Sequence, residues 1–146
     1  MKSLSKLRHH LAQFGALNLA EKGLLVHVLV VLTVIKVLLL IFPLSNFIKP
    51  CKQTLQRQKA LSAAFIAKRV WAVRVISARI PLGFTCLVQA ITTKWLLHNH
   101  PDLRVHIGVR TNEVAGFSAH AWLTYQNRTL IGDWVNEVFE PILAWN

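Results

Sequence analysis

The sequence predicts an α+β fold, with basic helices in the first half and a small antiparallel sheet in the second. Apolar residues recur every three to four positions through most of the first 76 residues, which is the period of one helix face. From Leu103 to Arg110 apolar and polar residues alternate, as in a half-buried strand. Turn-like segments follow this strand. Helices followed by strands that pair in sequence order are typical of an α+β domain.

The N-terminal stretch Met1–Gly23 is basic and predicts a helix with one apolar face. That face is formed by Leu4, Leu7, Leu11 and Phe14. Asn18 stands three positions before Glu21, the spacing of a capping box, and therefore predicts the start of the next helix.

Leu24–Leu44 is the most apolar segment, and Pro43 marks its end. It is long enough for a membrane span, which needs about 20 residues. Lys36 lies past its middle, where a Lys costs about 2.5–3.5 kcal/mol on insertion scales. Two interpretations stay open: a helix buried in the core or against a partner, and a helix that spans the membrane or is seated in it.

Leu55–Ile76 has apolar residues at helical spacing with basic residues between them, which predicts a long basic amphipathic helix. Such a charged face is commonly just solvated. It can also form a docking surface for a partner. The residues of that docking surface would be Lys59, Lys68, Arg69 and Arg74.

The segment Ala78–Gly83 breaks this helix and turns the chain. Thr85 is a good N-cap, so Cys86 becomes the first residue of a helix that runs to about Asn99. The remaining elements are predicted as a meander of strands. They are Leu103–Arg110, Ser118–Tyr125, Thr129–Val135, and a short strand or coil at Phe139–Trp145.

The composition and charge of the chain exclude some classes of protein and of partner. The chain has 146 residues, of which 53% are hydrophobic and 16% charged, with a net charge of +11. These values exclude a disordered chain and fit a domain with a sizeable core. Met1–Arg79 holds thirteen Lys/Arg against one acid, whereas the rest holds four against five. Because the basic residues are dispersed and no nucleic-acid-binding motif accompanies them, we predict no nucleic-acid partner.

The chain has two cysteines, Cys51 and Cys86, which do not make a disulfide framework. A reducing, cytoplasmic setting is the simpler expectation. Cys51 lies in a turn beside Pro50 and receives no role. A lone Cys followed by a later His is instead a candidate nucleophile, which directs attention to Cys86.

Cys86, His120 and Asp133 are the predicted catalytic residues. A helix start lowers the pKa of a thiol and offers N–H groups to an oxyanion. Strand alternation puts His120 on one face, and the small residues Ala119 and Ala121 on the other, where a helix can approach closely. A hairpin would bring Asp133 level with His120, so that its carboxylate orients the imidazole.

Other chemistry finds less support in the residues. The sequence has no Cys-x-x-Cys, His-Glu-x-x-His or paired-carboxylate pattern, so we predict no metal site. It also has no glycine-rich phosphate loop, and we predict no cofactor.

Several short motifs together resemble the leader peptidases of lasso-peptide biosynthesis, which are bacterial transglutaminase-like cysteine proteases. The resemblance covers about Trp71 to Trp145. The motifs that carry it are Ala78–Pro81, Cys86–Ala90, Ile107–Arg110 and Ala119–Leu123. It implies a transglutaminase/papain-like core, residues 78–146, in which the Cys-bearing helix packs on the sheet. Residues 1–77 would form a helical region on that core.

The resemblance also implies a function and partners. The family's Cys, His and Asp fall on Cys86, His120 and Asp133, and the chain is similar to the split form, which lacks a fused leader-binding domain. Its substrate would be a precursor peptide, recognised through a separate leader-binding protein. The trimmed core would pass to an ATP-dependent macrolactam synthetase. Two alternatives stay open: a transglutaminase-like acyltransferase, and a non-enzymatic basic protein that associates with membranes.

Overall fold

A computed structural model describes residues 17–48, 59–112, 116–133 and 139–146. Within these residues it contains three α-helices and a four-stranded antiparallel sheet, so the predicted α+β class is confirmed. The helices are α1 (Leu19–Ile41), α2 (Ala63–Arg79) and α3 (Cys86–Leu96), with a short 3₁₀ turn at Leu44–Asn46. The helix face predicted from Leu4 to Phe14 lies outside the described residues.

The sheet has the order β3-β2-β1-β4. Its strands are β1 (Leu103–Asn112), β2 (Gly116–Tyr125), β3 (Arg128–Ile131) and β4 (Glu140–Trp145). Gln126 and Asn127 connect β2 to β3 with φ angles of 48° and 64°. Two successive residues with positive φ form the turn that best matches the twist of a two-residue hairpin.

α1 begins at the capping box that the sequence predicted. The Asn18 side chain accepts from the Glu21 backbone N–H at 2.8 Å, and the Glu21 carboxylate accepts from the Asn18 N–H at 3.1 Å. The helix therefore starts at Leu19, five residues before the segment Leu24–Leu44.

α1 has one buried face and one exposed face. The buried face consists of Leu25, Val28, Val31, Leu32 and Ile35, and the exposed stripe of Val26, Val30, Val34, Val37 and Ile41. By length and composition α1 could cross a membrane. The core helix of a soluble protein can have the same length and composition. Its one basic residue past the middle, Lys36, donates to the backbone carbonyls of Leu82 and Gly83 in the same domain. The Lys36 ammonium group, whose charge disfavours insertion into a membrane, thus holds the loop before α3.

α2 is shorter than the sequence predicted. Ser62 is its N-cap and accepts from the Phe65 N–H at 3.3 Å. Just upstream, the Leu61 N–H donates to the Tyr125 hydroxyl at 3.0 Å. Residues 59–62 are therefore not helical. The prediction of one helix through Leu55–Ile76 is wrong for these residues, and Lys59 precedes the helix.

α3 is the central helix of the fold. It contacts β1, β2 and β3 on one side, while α1 and α2 pack against it on the other. Six of its eleven residues are consequently buried: Val88, Ala90, Ile91, Thr92, Thr93 and Leu96. The sheet completes the core with Leu103, Val105, Leu123, Tyr125, Ile131 and Trp145. The helix that begins at Cys86 is thereby fixed in place along its whole length.

Candidate active site

Cys86 is the first residue of α3, as the sequence predicted. The hydroxyl of the N-cap Thr85 accepts from the Val88 N–H at 3.4 Å. The thiol of Cys86 is free and half-buried. The unpaired N–H groups of the first turn can stabilise an oxyanion at this position.

The loop in front of Cys86 is fixed from two sides. Gln89 donates its side-chain amide to the Phe84 carbonyl at 2.9 Å, and the Phe84 side chain is buried in the core. From the other side, Lys36 reaches the carbonyls of Leu82 and Gly83. These contacts restrict the chain on the approach to the thiol, so the position of Cys86 is set by packing and hydrogen bonds together.

His120 lies on β2, directly opposite Gly108 of β1. Alternation places Ala121, Leu123 and Tyr125 in the core, and His120 with Trp122 and Thr124 on the opposite, half-buried face. Ala119 should share the core-facing side but is exposed. The cover provided by the helices therefore ends beside His120, where β2 emerges into solvent.

The imidazole of His120 is held by the segment that follows β3. Its Nε2 lies 3.0 Å from the Gly132 carbonyl oxygen, and its ring centroid lies 5.4 Å from that of Phe139. Because a carbonyl oxygen can only accept, Nε2 is the donor in this contact. In the neutral ring the lone pair is consequently on Nδ1. This is the tautomer in which Nδ1 can act as a base.

Asp133 follows Gly132 and is exposed. Both of its carboxylate oxygens accept from Arg74 Nη2 of α2, at 2.8 and 3.1 Å. The same Nη2 lies 3.1 Å from the Leu130 carbonyl oxygen. Among the described residues, Asp133 thus contacts Arg74 and its neighbour Gly132 contacts His120. The described contacts do not join Cys86, His120 and Asp133 directly, and their catalytic roles stay a prediction.

A β-bulge explains this arrangement. Tyr125 pairs with Arg128 and Thr124 with Thr129, but Leu123 pairs with Ile131, so Leu130 has no partner in the register. The extra residue shifts all that follows by one position. Continued past Ile131, this register would set Asp133 opposite Ala121 and no longer opposite His120, whose imidazole contacts the Gly132 carbonyl. Sequence alone gave no signal for this bulge.

A histidine without a predicted role lies on the same face of the sheet. His106 of β1 stacks on Trp122 with a centroid distance of 5.1 Å, and its Nε2 lies 2.9 Å from the Thr124 hydroxyl. Burial, and then the charge of Arg104, lower the pKa of the His106 imidazole from its ordinary value. The ring is therefore neutral near pH 7, which suits an imidazole stacked on an indole. Its place on the strand beside Arg104 was the only sequence signal.

The described residues contain no group of three or more His, Cys, Asp or Glu side chains that could hold a metal ion.

Comparison with known families identifies the chain. A family model of the transglutaminase-like superfamily matches residues 29–144. The chain belongs to the transglutaminase-like superfamily. The match starts within α1, so it extends N-terminal to the motifs that carry the resemblance described above. No curated protein and no solved structure matches the chain. Membership of the transglutaminase-like superfamily supports thiol chemistry of the cysteine protease or acyltransferase kind.

Proposed function

We propose that this transglutaminase-like protein is a cysteine peptidase that removes the leader from a ribosomally made precursor peptide. The observation that carries the proposal is the free, half-buried thiol of Cys86 at the start of α3. That helix packs on β2, the strand of His120, whose imidazole is held at Nε2 by a backbone carbonyl. A nucleophile at a helix start and a base of fixed tautomer are the two groups that thiol acyl chemistry requires.

In the proposed reaction, Nδ1 of His120 takes the proton of the Cys86 thiol. The thiolate then attacks the scissile carbonyl carbon, and the N–H groups of the first turn of α3 stabilise the oxyanion. When the C–N bond breaks, the imidazolium gives its proton to the leaving amine and a thioester remains on Cys86. Water, deprotonated by His120, hydrolyses the thioester. The free enzyme samples arrangements in which Sγ and Nδ1 lie within hydrogen-bond distance, and substrate binding tightens that contact.

Asp133 completes the proposed catalytic residues as the acid that orients the base, acting through its ion pair with Arg74. Its carboxylate lies one residue beyond the carbonyl that contacts His120.

The substrate assignment rests on the motif resemblance. Cys86–Ala90 and Ala119–Leu123, in this order and spacing, are similar to those of lasso-peptide leader peptidases. We accordingly propose two protein partners: a separate leader-binding protein that presents the precursor, and an ATP-dependent macrolactam synthetase that receives the trimmed core.

The proposed docking surface for the leader or its binding protein is narrower than the four basic residues of the sequence prediction. Arg69 donates to the Leu96 carbonyl at 3.1 Å and covers the Phe65 ring, and Arg74 is engaged with Asp133. Lys59 and Lys68 are exposed. We therefore assign the docking contact to these two lysines.

The function is tested by mass analysis of the products. A precursor peptide is mixed with this protein and the leader-binding protein. Hydrolysis is expected to give leader and core fragments whose masses sum to that of the precursor plus one water. A product joined to an added amine would instead indicate acyl transfer, and an unchanged precursor would contradict both enzymatic functions.

The docking surface is tested in the same assay. The double variant Lys59→Glu/Lys68→Glu is expected to require more leader-binding protein for half-maximal cleavage, and this effect should shrink at high salt.

We propose that the enzyme works in the cytoplasm, where precursor peptides are made, and that the exposed stripe of α1 contacts the membrane surface. The stripe is apolar, while the buried face of the same helix belongs to the core. Contact from the surface leaves that core intact, whereas a span would expose it to lipid. Mild salt or carbonate is expected to release the protein from membranes. A strict requirement for detergent would contradict this placement.

A further inference from the structure

The four residues from Leu130 to Asp133 are held by a single side chain from α2. Arg74 Nη2 donates to the Leu130 carbonyl at 3.1 Å and to both oxygens of Asp133, at 2.8 and 3.1 Å. Between these two contacts lies Gly132, whose carbonyl meets Nε2 of His120 at 3.0 Å. One guanidinium thus clamps the chain on both sides of the carbonyl that contacts the imidazole.

The β-bulge makes this clamp necessary. Leu130 has no partner in the register between β2 and β3, so the ladder of the sheet does not fix it. Arg74 takes the place of the missing strand contact by binding the Leu130 carbonyl. Loss of the contact between Arg74 and Leu130 would remove the hydrogen bond that ties the bulge to α2.

The backbone at Gly132 has little freedom of its own. Its φ angle is +85°, and a Cβ there would lie 2.6 Å from the Ala121 carbonyl oxygen and 2.9 Å from Cα of Trp122. The carbonyl can therefore keep its direction only if both flanking residues stay where they are. Of the two flanking residues, Ile131 is paired with Leu123 in the sheet, and Asp133 is held by Arg74, which also binds Leu130 just before Ile131.

α2 is a firm support for such a clamp. Ala72, Val73 and Ile76 are buried on either side of Arg74, so the helix backbone is anchored in the core. Arginine suits the role because its guanidinium is planar, permanently charged and able to donate several hydrogen bonds in fixed directions. A lysine would supply the charge but not the same fixed geometry.

We propose that Arg74 is a positioning residue of the active site. It holds the Leu130–Asp133 segment so that the Gly132 carbonyl keeps the proton of His120 on Nε2 and the lone pair on Nδ1. Asp133 contributes through Arg74, as the anchor that fixes the guanidinium. The inference rests on the proposed function, because it assigns His120 the role of the base for Cys86.

The test measures the thiol and needs no substrate. In the full chain carrying Cys51→Ser, Cys86 is the only cysteine, and its rate of alkylation by iodoacetamide near neutral pH reports its thiolate. Arg74→Ala is expected to slow alkylation about tenfold, because small misplacements of a catalytic group are costly. Asp133→Ala should have a similar effect, and the double variant should be no slower than either single variant. Arg74→Lys should recover part of the rate.

Arg128→Ala is the matched control, because it removes the same charge from an exposed position at the other end of β3. Its alkylation rate is expected to equal that of the parent. On the precursor, loss of positioning should lower kcat and leave KM nearly unchanged. A raised KM with normal kcat would instead return Arg74 to a docking role and overturn the inference.

Two further outcomes separate the inference from the proposed function. If His120→Ala leaves the alkylation rate unchanged, His120 is not the base and the proposed function fails. If His120→Ala slows alkylation but Arg74→Ala does not, the proposed function survives and the inference fails. Should Arg74→Ala reduce folding by circular dichroism, Arg74→Lys and Asp133→Asn decide by the same criteria. Normal alkylation rates in both would overturn the inference.

Discussion

Replacing Cys86 by Ala is expected to abolish leader release, with a loss of at least about 10⁴-fold in rate, because no other group on α3 can form the thioester. The fold should survive, since the side chain is only half-buried and Ala keeps the helix start below the Thr85 cap. The rate is measured by mass spectrometry on the precursor with the leader-binding protein present, and folding by circular dichroism.

Two companion variants sharpen this result. Cys86→Ser keeps the size of the side chain but offers a hydroxyl of much higher pKa, so it should be nearly as inactive as Cys86→Ala. Cys51→Ala removes the other cysteine of the chain and should retain the full rate. Leader release by the Cys86→Ala protein at even a tenth of the normal rate would rule out Cys86 as the nucleophile.

Replacing Gly132 by Ala is expected to lower the free energy of unfolding by about 2–4 kcal/mol, as left-handed backbone strain adds to overpacking. The new Cβ would lie 2.6 Å from the Ala121 carbonyl oxygen and 2.9 Å from Cα and Cβ of Trp122. Two of these atoms belong to the backbone and cannot rotate away. Relief requires β2 and the β3 end to separate, which also moves the carbonyl that contacts His120. Cleavage by the remaining folded protein should therefore fall as well.

Gly116→Ala provides the control for backbone strain. Gly116 has a φ of +72°, close to that of Gly132, but apart from its chain neighbours no atom of the described residues lies within 4 Å of its Cβ position. It should cost only about 1 kcal/mol, the strain term alone. Urea unfolding gives both free energies, and activity is compared at urea concentrations where each variant is folded. Equal destabilisation by the two substitutions would contradict the clash that we describe at Gly132.

Local chemistry made part of this structure predictable. The start of α3 follows from Thr85, whose hydroxyl caps the helix whatever the rest of the chain does. The capping box of Asn18 and Glu21 is likewise complete within four residues. The turn at Gln126 and Asn127 lies in the gap between two predicted strands, Ser118–Tyr125 and Thr129–Val135. In each case the determining contacts lie close together in sequence.

Elements whose ends depend on distant contacts were less predictable. α2 begins late because the backbone at Leu61 is drawn to the Tyr125 hydroxyl, 64 residues away. α3 ends at Leu96, before the predicted Asn99, because His98 and Asn99 have left-handed φ angles of 59° and 50°. The bulge at Leu130 is a register shift between β2 and β3, and such a shift has no local signature in the sequence. An unbroken hairpin would have set Asp133 opposite His120, and the bulge moves it one position away.

The bulge at Leu130 also affects the exposed edge of the sheet. β3 is an edge of the sheet, and a flat edge strand invites pairing with other chains and eventual aggregation. Here the edge strand has only four residues, carries Arg128 at its exposed start, and is bent by the extra residue near its end. The Leu130 carbonyl, a free acceptor on an ordinary edge, is already bonded to Arg74. A short, interrupted edge whose Leu130 carbonyl is already bonded offers a poor template for pairing with a second chain.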